Sequence, residues 1–223
     1  IMDSLVIAPG GVGEAEFTLD AVGTYYYWGT TTGEDRVGSV VEDAGLIGAL
    51  IVDEPGADTN DRVMVMNIWI PLETSEGRPD VSSEILTING RPWPFTERLR
   101  YRMGDEIRWR IINASGRGHP MHLHGFYFTV RSRGDMAADD VDAPEDHRLV
   151  VTEPMTGFTT MLLEWQPTRP GNWLFHCHLS FHVSPRIRLP GAADADHEHG
   201  EPHMAGLVIG IEVAPGPTDL VAT

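Results

Sequence analysis

The sequence predicts an all-β fold, a sandwich of short strands. Short segments rich in Val, Ile, Tyr, Phe and Trp recur along the chain, and Gly, Pro, Asn and Asp separate them, as in sandwiches and barrels. The 223 residues are 41% hydrophobic, enough for the core of one large domain or two modest ones. In order, strands are expected at Glu14–Asp20, at the aromatic run Thr24–Trp28, at the aliphatic Gly48–Asp53, and at Arg62–Ile70. Further strands are expected at Ile85–Asn89, Glu106–Asn113, His124–Arg131, Leu149–Thr152, Thr159–Trp165 and Gly206–Val213. The polar, proline-bearing residues 72–83 read as a linker. They divide residues 1–71, too few strands for a sandwich, from residues 84–223, which suffice for one.

A net charge of −17 excludes nucleic acid and anionic membrane surfaces as natural partners, since phosphate binding needs excess positive charge. No apolar run of about eighteen residues is present to span a bilayer. The acidic run Asp135 to Asp146 reads as a solvated loop. No signal peptide is visible at Ile1 to Val6, and the single cysteine rules out an internal disulfide.

The chemistry concentrates in two motifs. His176-Cys177-His178-Leu179-Ser180-Phe181-His182 holds the chain's single cysteine between two histidines, with another histidine five positions on. His119-Pro120-Met121-His122-Leu123-His124 lies upstream. One thiolate, two imidazoles and a weak axial group form the ligand set of a blue-copper centre. In an extended strand His176 and His178 point to the face opposite Cys177, where each would hold a second metal two peptide units from the first. Pro120 is expected to turn the chain after His119, so that His119 serves one site and the alternating pair His122 and His124 the other. Tetrahedral zinc is the competing reading of Cys and His. A lone cysteine with two spaced histidine motifs favours copper.

On these residues the chain resembles the carboxy-terminal part of a multicopper oxidase, the family of laccases and related phenol and metal oxidases. Asp3 to Gly10 and Gly23 to Trp28 resemble the second half of an amino-terminal cupredoxin domain. Leu86 to Trp93 and Arg102 to Asn113 resemble the opening strands of the last such domain, and Arg169 to His178 the strand leading into its copper site. The resemblance implies a cupredoxin-like Greek-key β-sandwich, complete over 84–223 and preceded by a partial cupredoxin domain. It implies a type-1 copper held by His119, Cys177 and His182. His122 would serve a type-2 copper and His124, His176 and His178 type-3 coppers, giving up to four coppers in a complete site. Leu207 takes the axial position without coordinating, with Met204 and Ile187 as alternatives, and an aliphatic group there raises the reduction potential. Electrons would arrive at whichever of His182 and His119 has an exposed edge and leave through Cys177 to His176 and His178. The donor would be a phenol, an aromatic amine or a metal ion, and the acceptor dioxygen. A secreted or periplasmic location and a homotrimer are further family implications.

The departures from the family pattern bear on the oxygen chemistry. Where the family places a His-x-His pair after an aromatic stretch, this chain has Trp28 and Thr30, and neither indole nor hydroxyl is a useful copper ligand. Trp28 reads as a core aromatic. The family's first histidine motif would lie before residue 1. An insertion from Val183 to about Met204, with His197, His199 and His203 among acidic residues, reads as a solvated loop. Three functions stay open: an oxidase completed by an upstream segment or by other subunits, a type-1 electron-transfer protein with an incomplete cluster, and a copper-binding protein without turnover.

Overall fold

The computed structural model describes residues 4–39, 43–57, 60–70, 84–183 and 204–216. They form three sheets. A hairpin pairs β1 (Gly23–Trp28) with β2 (Ile47–Val52). The next strands are β3 (Arg62–Trp69), β4 (Ile85–Ile88), β5 (Arg98–Arg102) and β6 (Ile107–Asn113). After them come β7 (His119–Leu123), β8 (Phe128–Gly134), β9 (Asp139–Val141), β10 (Leu149–Val150) and β11 (Thr152–Met155). The last strands are β12 (Thr160–Trp165), β13 (Gly171–Cys177) and β14 (Val208–Ala214), with a single helical turn, α1 (Ser180–Val183), after β13. A seven-stranded sheet runs β10-β8-β12-β6-β3-β4, with β9 attached to β8, and a five-stranded sheet runs β11-β7-β13-β14-β5.

The two larger sheets close on a core whose fully buried side chains include Trp109, Phe128, Phe175, Met64, Met121 and Leu163. Trp109 meets Phe175 edge-on at 4.9 Å between ring centroids, the arrangement that the ring quadrupoles favour. Its indole N–H donates to the Tyr101 hydroxyl at 2.8 Å, so the buried donor is satisfied. The expected all-β sandwich is thus the observed one.

Several elements differ from expectation. Glu14–Asp20 forms no strand, and its large side chains Phe17 and Leu19 are exposed. The strand expected over His124–Arg131 begins only at Phe128, and an additional strand, β7, precedes it. Pro120 therefore makes no turn. It lies inside β7 opposite Pro154 of β11, and because its carbonyl accepts the His178 N–H at 2.7 Å the strand still bonds there. Strand β3 lies before residues 72–83, yet it pairs with β4 and β6, so the seven-stranded sheet draws on residues from both sides of that segment. The unit boundary expected at residue 71 thus does not coincide with a sheet boundary. The supposed linker itself lies outside the described residues. The acidic run is not a free loop either: β9 extends β8, Asp142 pairs with Arg133, and Asp139 accepts the Thr24 N–H at 2.7 Å.

The β1–β2 hairpin covers the outer side of the seven-stranded sheet through a second cluster built on Tyr26, Ile112 and Ala114. A buried arginine on β6 fastens it. Arg110 donates from Nε to Asp61 at 2.5 Å, from Nη1 to the Thr24 hydroxyl at 2.8 Å and from Nη2 to Asp53 at 2.7 Å. Removing it takes the closer of two cationic partners from the Asp61 carboxylate, whose side chain is only 7% exposed and which keeps Arg108 at 3.3 Å. Arg110→Ala is expected to lower the unfolding free energy by about 3–5 kcal/mol, read from urea denaturation. A loss below about 1 kcal/mol would place this network among weak surface pairs.

Candidate metal centre

Two neighbouring strands of the five-stranded sheet set the geometry. β7 and β13 run antiparallel with His122 opposite His176 and Met121 opposite Cys177. Side chains alternate faces along each strand. His119, Met121 and Leu123 of β7 and Phe175 and Cys177 of β13 therefore point into the core, where all five are almost wholly buried. His122, His124, His176 and His178 fall on the opposite face. The separation that the sequence attributed to a proline turn comes from strand parity instead, since His119 and His122 are an odd number of residues apart.

His119, Cys177 and His182 converge inside the protein. The Cys177 Sγ lies 3.2 Å from His182 Nδ1 and 3.8 Å from His119 Nδ1, and the two Nδ1 atoms are 3.0 Å apart. The turn α1 brings His182 back, and its N–H bonds the Leu179 carbonyl at 3.0 Å. Leu207, wholly buried, holds both neighbours by its backbone: its carbonyl accepts the Cys177 N–H at 3.0 Å, and its N–H donates to the His182 carbonyl at 3.3 Å. Gly206 permits this approach. Its φ is +73°, and a Cβ there would sit 2.4 Å from the His182 carbonyl oxygen. Of the alternative axial residues, Met204 is half-buried, and Ile187 lies outside the described residues, as do His197, His199 and His203.

Burial governs the protonation of this set. Burial, then the charges of His182 and Arg117, lowers His119 to about 3. Burial followed by Arg117 lowers His182 to about 4, and burial raises the Cys177 thiol to about 11. At neutral pH both imidazoles are uncharged and able to donate a lone pair, while the thiol keeps its proton. Three donors close on one point, and Leu207 beside them offers no lone pair from its side chain. Structural zinc takes four ligands tetrahedrally, whereas two histidines and a cysteine with a weak axial group suit copper. The residues fit copper.

The second group lies across the sheet. Donor atoms of His122, His124 and His176 all lie within 4.8 Å of one another. His124 Nε2 and His176 Nε2 face each other at 2.8 Å. The other nitrogens are engaged behind: His176 Nδ1 lies 2.7 Å from the Cys177 carbonyl, and His122 Nδ1 lies 2.7 Å from the Thr152 hydroxyl. The exposed ring of His178 stands 5.0 Å from that of His122 and is stacked 5.9 Å from that of His176. Burial, then neighbouring histidines, lowers the pKa of His122 and His124, and burial lowers that of His176. A cleft of about 320 Å³, lined by His122, His124, Phe126, Tyr127, Val151 and Arg169, opens beside them.

The structure corrects one expectation about access. Neither His119 nor His182 has an exposed edge, because each is only 1% exposed. Phe181, 56% exposed, lies edge-on to His182 with ring centroids 4.3 Å apart. Trp28 is half-buried against the Tyr26 cluster with the Arg36 guanidinium 5.9 Å from its ring, and the Thr30 hydroxyl donates to Asp43 at 2.9 Å. Trp28 is thus engaged where the hairpin meets β6, and Thr30 within the amino-terminal unit. Sequence reasoning missed Thr152 and Ser115, hydrogen-bond partners of His122 and His119. Only the position of Ser115 four residues before His119 hinted at a role, and no local pattern marks Thr152.

Residues 69–188 match the family described as multicopper oxidase. Human ceruloplasmin is 30% identical over 104 residues, 46% of this chain and 9% of that protein. A probable nitrite reductase–hydroxylamine oxidoreductase fusion protein of Kuenenia stuttgartiensis is 26% identical over 188 residues, 80% of this chain and 20% of its own length. The blue copper oxidase of Nitrosomonas europaea shares the fold with a TM-score of 0.64 at 20% identity, covering 88% of this chain and 57% of that one. The multicopper oxidase mgLAC does so with a TM-score of 0.65 at 24% identity, covering 92% of this chain and 61% of that one. The chain thus spans less than two thirds of each.

The depressed histidines fix a pH dependence of the metal-free chain. Their folded values, about 3 and about 4, lie below the ordinary 6.5, so the unfolded chain binds more protons between these limits. The stability they contribute is complete above 6.5 and is lost as the pH falls from there through about 4 for His182 and about 3 for His119. Urea unfolding across this window is expected to show that loss, and a His119→Gln/His182→Gln variant to flatten it. An equal slope in both proteins would contradict the assignment.

Proposed function

Because the chain belongs to the multicopper oxidase family, we propose that it is the type-1-bearing part of a copper-dependent oxidase, with a phenol, aromatic amine or metal ion as electron donor and dioxygen as acceptor. The observation that carries the reading is the paired donor set on opposite faces of β7 and β13, joined covalently through Cys177. His119, Cys177 and His182 would hold the type-1 ion, and Leu207 would occupy the axial side without donating. His122, His124, His176 and His178 would supply half of a type-2/type-3 cluster. Copper bound in these positions supplies one-electron redox chemistry.

The chain's own groups do the rest. Cys177 is one peptide bond from both His176 and His178, and the contact between His176 Nδ1 and the Cys177 carbonyl adds a shorter connection between the two faces. Burial excludes water from the inner set. A donor would approach across the exposed ring of Phe181, since His182 lies beneath it. The remaining cluster ligands would come from an upstream segment or from neighbouring copies in a homotrimer, because Trp28 and Thr30 offer none. A secreted or periplasmic location belongs to the same proposal. Among the described residues no helix is long and apolar enough to cross a membrane.

One observation favours a second reading, a single-copper electron-transfer protein: the outer histidines border an open cleft, and no ligands from elsewhere in the described chain complete them. Copper loading separates the two. An intense visible thiolate-to-copper band is expected from either and is expected to vanish in Cys177→Ser. Several coppers per chain, with dioxygen consumption on addition of a phenol, support the oxidase, whereas a single copper without consumption supports electron transfer. Absence of the band in the unsubstituted chain would overturn both. Because the thiol is protonated up to about 11 and the imidazoles are neutral, copper uptake at the inner site should release one proton. The logarithm of its affinity is expected to rise by about one per pH unit near neutrality.

A further inference from the structure

The inner histidines differ in what lies behind them. His182 Nε2 is buried with no hydrogen-bond partner among the described residues, whereas His119 Nε2 lies 2.8 Å from the Ser115 hydroxyl oxygen. Ser115 belongs to a chain of hydrogen bonds whose directions can be followed from one end. The Asn113 side-chain amide donates to two backbone carbonyls, those of Arg117 at 2.7 Å and Thr156 at 2.8 Å. Carbonyls only accept, so the amide nitrogen faces them and the amide oxygen faces Ser115. That oxygen receives the Ser115 N–H at 3.1 Å and the Ser115 hydroxyl at 2.7 Å. A serine hydroxyl has one proton, and the Asn113 oxygen 2.7 Å away can only accept. Turning the proton to His119, or to the Arg117 carbonyl at 3.4 Å, would leave two bare oxygens in contact, so it is directed at Asn113. The Ser115 oxygen is left to accept from His119.

We propose that Asn113 and Ser115 form a tautomer-setting relay, which keeps the proton of neutral His119 on Nε2 and leaves Nδ1 as a bare lone pair aimed at the ligand point. Ser115 is a positioning residue: it touches the ligand histidine and neither metal nor substrate. Both residues are almost wholly buried, Asn113 at 0% and Ser115 at 1% exposure, so water does not compete for the relay. The consequence is an asymmetric site. His119 is set for metal binding before the ion arrives, while His182 has no comparable hydrogen bond behind its ring among the described residues. Groups behind a ligating imidazole fix its tautomer and orientation in this way, and their loss commonly costs about ten- to a hundred-fold in metal affinity.

The proposal rests on His119 being a ligand, but the relay itself is measurable without metal. Long-range proton–nitrogen NMR of the metal-free full chain reports which imidazole nitrogen of His119 is protonated. The expected spectrum has a protonated Nε2 and a bare Nδ1 in the unsubstituted protein. Ser115→Ala is expected to shift the balance toward protonated Nδ1 and to weaken copper binding, measured by chelator competition, by about ten- to a hundred-fold. Ser115→Thr, which restores a hydroxyl, is expected to recover both. His119 protonated at Nδ1 in the unsubstituted chain would overturn the relay, whatever the variants do. So would a Ser115→Ala protein of unchanged near-ultraviolet dichroism with unchanged tautomer and affinity. A protein that shows the expected tautomer but takes up no copper would leave the relay standing and remove the oxidase reading.

Discussion

The register between β7 and β13 is the constraint on which both donor groups depend. Strand side chains alternate with a period of two, so pairing His122 with His176 fixes at once what lies on each face. Inward go the sulfur and the imidazole of His119, outward His122, His124, His176 and His178. A slip of one residue would exchange the faces, sending Cys177 to the surface and His176 into the apolar core. The core opposes that slip, because Met121, Leu123 and Phe175, all at 0% exposure, would have to leave it together. The same hydrophobic burial that holds the sandwich therefore also holds two polar sites apart.

Burial also sets the chemical state of the inner group. An imidazole surrounded by apolar atoms is costly to charge, and a thiol there is costly to ionise. His119 and His182 are thereby ready to donate at neutral pH, whereas Cys177 becomes a ligand only by releasing its proton to an incoming ion. The outer group is milder. His122 and His124 are half-buried beside an open cleft, their donor atoms close to that of His176, and His178 is exposed. Burial, then like-charge repulsion from neighbouring imidazoles, favours the neutral forms of His122 and His124, which suits metal binding. The inner group gathers its three donors within the described residues, and the outer one presents its donors beside an open cleft.

The hairpin β1–β2 shows how a partial unit is retained. Its apolar contact with β6 is modest, centred on Tyr26, Ile112 and Ala114, and Arg110 adds a buried set of charged hydrogen bonds to Thr24, Asp53 and Asp61. At the loop after β6, Arg36 from the same unit donates to the Ala114 carbonyl, one residue before Ser115. The amino-terminal unit thus braces the loop that supplies the partner of His119.

Local patterns made much of this legible. The all-β class followed from short apolar segments between turn residues, and the candidate donor residues followed from one cysteine among spaced histidines. Parity along a strand is a local property, so the assignment of Cys177 to one face and of His176 and His178 to the other needed only the sequence. It misjudged Pro120, because a proline in a strand is tolerated where its carbonyl, rather than its missing N–H, makes the bond. Glu14–Asp20 carried strand-like composition but no partner strand. Tertiary structure alone decided how closely His119 approaches Cys177, which ring edges are covered, and which hydroxyl stands behind each imidazole. Those features depend on contacts between residues far apart in the chain, as when Leu207 bridges Cys177 and His182 through its backbone, and on the solvent excluded by packing. No periodicity encodes either one.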